Sequence, residues 1–129
     1  MQLISTNIST LYFVCGICKK KFRIIMDRIS KLKEYLQASP NDNFLMHALA
    51  LEFIKMRDDA EARKLFEDIL QRDARYVGSY YHLAKLLERT NEKDLAIEWY
   101  QKGMVASKEA GDNHSYNELQ AAYEDLVEP

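Results

Sequence analysis

Glycine and proline are scarce in this sequence, with four and two among 129 residues. Sandwiches and barrels need many tight turns built from those residues, so the scarcity shifts the expectation toward helices joined by short connections. Long apolar runs are missing as well. The longest, roughly Leu11 to Cys18, is about half of what a spanning helix requires, so no membrane crossing is expected. No HExxH, GxSxG or glycine-rich phosphate loop occurs. His47, His82 and His114 stand at no recognisable spacing from a nucleophile and show no metal-ligand spacing. Catalysis, a bound metal and a cofactor are therefore not expected.

What is present suffices for one folded domain: 47% of residues are hydrophobic and 29% charged, with a net charge of −2. A disordered chain is excluded by that composition. The charge is unevenly spread. Residues 1–25 carry Lys19, Lys20, Lys21 and Arg23 with no acid, which leaves 14 basic against 20 acidic side chains, or −6, for residues 26–129. A body of that charge is a poor polyanion binder, so no nucleic-acid partner is expected.

The first 25 residues read as an apolar and basic leader. Its lysines follow the apolar run instead of preceding it, and no small-residue cleavage site is present, so it is not a secretory signal. Cys15-Gly16-Ile17-Cys18 is a CxxC, which could chelate zinc or cycle as a redox pair. A structural zinc needs two further ligands and a redox site needs a strand and helix pattern, neither of which is visible. An inert tail is the expectation, with intermolecular zinc as the route that stays open. Met26-Asp27-Arg28 opens an amphipathic helix, so residues 1–25 are expected to be disordered or to lie upstream of a natural start at Met26.

From residue 27 onward apolar positions recur with helical period between short polar breakers. The spacing predicts six helices, at about 27–38, 43–56, 60–72, 77–90, 93–109 and 114–127. The breakers, such as Ser39-Pro40-Asn41-Asp42, Arg57-Asp58-Asp59 and Gly111-Asp112-Asn113, supply N-cap acceptors or helix stops.

Laying residues 43–76 over 77–110 gives three identities: Leu49 with Leu83, Ala50 with Ala84, and Ala62 with Ala96. Around them Met46 matches Tyr80 in size, Phe53 matches Leu87, and Phe66 matches Tyr100. Met46, Leu49, Ala50 and Phe53 share one helical face, as do Ala62, Leu65, Phe66 and Ile69. Alanine falls where two antiparallel helices come closest, and the bulky residues fill the space beside that contact. Leu51 and Ile54 lie off the first face and widen its apolar arc. They fit a ligand groove, or burial under the N-terminal helix or in a dimer contact.

This spacing of bulky and small positions resembles the tetratricopeptide repeat family, whose unit is a 34-residue helix-turn-helix. The resemblance implies an all-α fold, a short right-handed α-α superhelix. Two full repeats, 43–76 and 77–110, are flanked by an N-terminal half repeat, 27–42, and a C-terminal capping helix, 112–127. It also implies a non-catalytic cytoplasmic adaptor that binds a protein or peptide in the concave groove lined by the first helix of each unit. By position that groove comprises Phe44, His47, Leu51, Ile54, Lys55, Tyr81, Lys85, Glu88 and Arg89. The alternative is a structural module that self-associates as a dimer through the ends or groove of a short solenoid. Tyr81, Lys85 and Arg89 form one stripe that could take an acidic peptide; the competing reading is a solvated face balanced by Glu88 and Glu92. Leu51 and Lys85 stand where carboxylate-clamping family members carry Asn, so a clamp of that type is not expected. Tyr76, Tyr80, Tyr81, Trp99 and Tyr100 are expected to pack the core and the contacts between units instead of stacking on bases.

Overall fold

The computed structural model describes residues 16–129, with side chains from 19 onward. Cys15 and the side chain of Cys18 lie outside that range, and so do the expectations for the CxxC and for residues 1–15. All regular structure among the described residues is helical: α1 (Gly16–Ala38), α2 (Asn43–Lys55), α3 (Asp59–Arg72), α4 (Gly78–Arg89), α5 (Lys93–Ala110) and α6 (Asn113–Val127). Each helix packs on the next, and α4 also touches α6. The result is the expected short solenoid of two helix-turn-helix units, α2 with α3 and α4 with α5, flanked by α1 and α6.

One boundary differs. Helix α1 begins at Gly16, not near residue 27, so residues 16–25 are not a disordered leader. The change of charge at Lys19–Arg23 mimics a domain boundary, but Ile25 extends the apolar stripe of Ile29, Leu32 and Leu36 by one turn. Ile25 and Ile29 are buried against Leu49 of α2, with Leu32 and Leu36 packed beside them. Lysines on the opposite face do not interrupt a helix whose buried stripe continues.

Three helix starts, those of α2, α3 and α6, are fixed by aspartates. Asp42 accepts from Leu45 N (3.1 Å), Asp58 from Glu61 N (3.3 Å) and Asp112 from Ser115 N (3.0 Å), satisfying amides that have no intrahelical partner. The turns inside the two units match bond for bond. Arg57 N donates to Ile54 O and Asp58 N to Phe53 O; 34 residues on, Asn91 N donates to Glu88 O and Glu92 N to Leu87 O. This is a Schellman cap, and it requires a left-handed residue, supplied by Arg57 at φ 60° and Asn91 at φ 64°.

The four repeat alanines, Ala50, Ala62, Ala84 and Ala96, are all fully buried, together with Phe66, Leu83, Leu87 and Tyr100; Met46, Leu49 and Tyr80 are nearly so. Phe53 is only partly buried because it bridges the core to the smaller cluster under α1. The second unit departs from the first in one correlated pair. Tyr80 replaces Met46, and Gly103 stands where the first unit has Ile69. A Cβ at Gly103 would lie 2.7 Å from Tyr80 Cβ and 3.0 Å from Leu119 Cδ1. Removal of one side chain from α5 thus lets the larger Tyr80, whose hydroxyl donates to Ala74 O (2.7 Å), fit between α4 and α5.

Candidate functional site

Along α2, Phe44, His47, Leu51, Ile54 and Lys55 form one stripe, and along α4, Gly78, Tyr81, Lys85, Glu88 and Arg89 repeat it 34 residues on. The two stripes are neighbours, since a Cβ on Gly78 would sit 3.8 Å from His47 Cε1. A third wall comes from α6. Val77, Gly78, Tyr81 and His82 line a cleft with Ser115, Glu118 and Leu119.

The expected groove residues divide into three kinds. Phe44 is 71% exposed at one end of the α2 stripe, the most open large apolar side chain among the described residues. Leu51 and Ile54 are partly buried against the main core, not under α1, so burial beneath the N-terminal helix is not their role. His47 is a strut between helices. Its Nδ1 shares a hydrogen bond with Ser79 Oγ (2.9 Å), and its ring lies 5.4 Å from His82 and 5.5 Å from Phe66. Burial, helped by the neighbouring His82, pushes the His47 pKa down from 6.5 to about 4. Burial likewise lowers His82, with Glu118 opposing. Both rings are therefore neutral near pH 7 and offer no cation to a ligand.

The basic stripe is matched by acids of the same chain. Lys85 Nζ lies 3.5 Å from Glu88, which also accepts from the Tyr100 hydroxyl. Arg89 holds Asp59 in a two-point contact (2.7 and 3.3 Å), and Lys55 reaches Glu52 (2.9 Å). Glu92, expected to balance this stripe, is instead engaged by Arg63 across the units (2.8 and 3.0 Å). Glu88 and Asp59 are half-buried and Glu52 is buried, whereas Lys85 and Arg89 keep more of their surface open. The arrangement is thus a shallow face with an apolar end at Phe44, an aromatic centre at Tyr81 and partly open cations at Lys85 and Arg89.

Sequence reasoning missed Ser79, His82 and the contribution of Ser115 and Glu118. Ser79 and His82 replace Leu45 and Ala48 of the first unit, so the repeat frame carried no signal for them. No group of three or more His, Cys, Asp or Glu side chains able to hold a metal occurs among the described residues, and no helix there is long and apolar enough to cross a membrane.

A family model described as tetratricopeptide repeat matches residues 77–104, the region of α4 and most of α5. No curated protein matches the chain significantly in sequence. A solution NMR structure of a tetratricopeptide repeat domain protein from Salinibacter ruber is similar at 40% identity and TM-score 0.66, over 68% of this chain and 89% of that one. A crystal structure of such a domain protein from the same organism is similar at 40% identity and TM-score 0.64, over 66% and 96% of the two chains. The crystal structure of MamA protein shares the fold alone, at 17% identity and TM-score 0.59, over 92% of this chain and 73% of that one. Identity of 40% across nearly all of a tetratricopeptide repeat domain, on a frame of buried alanines and duplicated turns, shows that this chain belongs to the tetratricopeptide repeat family.

Proposed function

We propose that the chain is a protein-interaction module that binds a segment of a partner protein along the α2, α4 and α6 face. Its fold is one that generally mediates protein–protein interaction and is typically non-catalytic. The observation that carries the reading is the exposure of Phe44 on the stripe that continues through Leu51 and Ile54 and adjoins Tyr81. An aromatic side chain left this open on a first helix supplies an anchor that burial under a ligand would stabilise by about 1.5–3 kcal/mol. The ligand that fits best is a short segment with an apolar side chain for Phe44 and Tyr81 and an acidic one for Lys85 and Arg89.

The test is a fluorescence-polarisation panel of peptides varying in apolar and acidic content, titrated with the full chain. Phe44→Glu is expected to weaken the best binder at least tenfold, whereas Val105→Glu, on the second helix α5, leaves it unchanged. Binding that survives Phe44→Glu and is lost with Val105→Glu would place the ligand on the other face and defeat the proposal.

A further inference from the structure

The two end helices carry opposite charge. Helix α1 has seven basic residues against Asp27 and Glu34, a net charge of +5, while α6 has Glu118, Glu124 and Asp125 with no Lys or Arg, a net charge of −3, and Glu128 follows it. Glu124 and Asp125 crowd the negative C-terminal end of α6, which has no base in its last turn, and so oppose that helix's dipole. Charges placed so are stabilised by an external cation, and Lys20 and Lys21 of α1 supply one.

We propose that these two ends recognise each other between copies, so that α6 of one chain docks on α1 of the next, head to tail. The proposal is independent of the ligand face on α2 and α4. Within each unit the first helix packs on the second, and Ala50, Ala62, Ala84 and Ala96 are buried in one core, where the repeat frame sets Ala50 opposite Ala62 and Ala84 opposite Ala96. In the repeat frame α6 is a first helix with Gln120 at the alanine position, and α1 is a second helix with Arg28 there. Setting Gln120 against Arg28 in the same antiparallel register brings the C-terminal end of α6 to the N-terminal end of α1. Glu124 and Glu128 then fall within one turn of Lys20 and Lys21. One pair of exposed apolar residues corresponds as well, Val127 (40% exposed) falling near Ile24 (45% exposed). Gln120 and Arg28 are longer than alanine, so this junction is wider than those inside the chain and is held mainly by charge. Such a contact uses two different surfaces and therefore adds copies in series instead of closing as a two-fold dimer.

The test is sedimentation velocity on the full chain from micromolar to millimolar concentration. The expected result is a weight-average mass that rises with concentration past that of a dimer, with association weakened at least tenfold between 0.05 and 0.5 M salt. Glu124→Lys with Glu128→Lys, and separately Lys20→Glu with Lys21→Glu, should each weaken association at least tenfold, because the substituted side chains of each variant then face like charge across the junction. Mixing the two variants should restore it, since each end meets its opposite, and that result cannot come from misfolded protein. A wild type that stays monomeric, a mass that stops at a dimer, or a mixture that remains monomeric would each overturn the proposal.

Discussion

Gly103→Ala tests the packing between the second unit and α6. Glycine inside a helix is normally a weakness, and replacement by alanine stabilises an unhindered helix by about 1 kcal/mol. Here the new methyl would lie 2.7 Å from Tyr80 Cβ, 3.0 Å from Tyr80 Cγ and 3.0 Å from Leu119 Cδ1. Two of those atoms sit at the base of the Tyr80 side chain, so rotation cannot clear them and α5 must move away from α4. Overpacking of this kind costs about 1–3 kcal/mol, and the closeness of a backbone-anchored atom puts the cost at the upper end. The expected net change is a destabilisation of about 1–2 kcal/mol, or a fall in Tm of about 4–10 °C for a domain of this size. Urea and thermal melts followed by circular dichroism at 222 nm measure it. The Tyr80→Met background should leave most of the penalty in place, because methionine keeps the Cβ that makes the closest contact. An unchanged or higher Tm for Gly103→Ala would refute the close approach of α4 and α5.

Other expectations follow from the same geometry. Ala84→Leu or Ala62→Leu should destabilise by about 1–3 kcal/mol in the same melts, since both alanines are fully buried; unchanged melting for both would contradict the repeat frame. Because the His47 pKa falls from 6.5 to about 4 on folding, the unfolded chain binds the extra proton first, and stability drops as pH falls from about 6.5 toward 4. The loss by pH 5 should be about 1–2 kcal/mol, and His47→Gln should flatten the stability profile in that window; an equally steep profile would exclude His47 as its source. Arg57→Gly should raise stability by up to about 1 kcal/mol, because φ 60° strains a side-chain-bearing residue, whereas a destabilised variant would show that the turn is not strained there.

The alanine pairs and the aspartate caps were legible in the sequence because each reflects a local rule: small residues at a helix crossing and a carboxylate one residue before a helix. The start of α1 was not, since a run of lysines on an exposed face looks like a boundary until Ile25 is known to be buried. The role of His47 was concealed for a different reason. Its position on the first-helix stripe is that of a groove residue, but Ser79 and His82 of the next unit draw its ring inward, and those partners lie 32 and 35 residues away with no counterpart in the first unit. The pairing of Arg89 with Asp59 and of Arg63 with Glu92 likewise depends on side chains reaching between units, about 30 residues apart in sequence. Gly103 was invisible as a packing residue because the repeat comparison sets it against Ile69, and its meaning emerges only beside Tyr80.

The central claim is that a partner segment lies on the α2, α4 and α6 face, and amide chemical-shift mapping of the full chain with the best-binding peptide tests it most directly. The largest shifts are expected at Phe44, Leu51, Tyr81, Lys85 and residues 115–118 of α6, with α3 and the outer side of α5 little changed. Shifts concentrated around Val105 and Lys102, with Phe44 and Tyr81 unmoved, would contradict it.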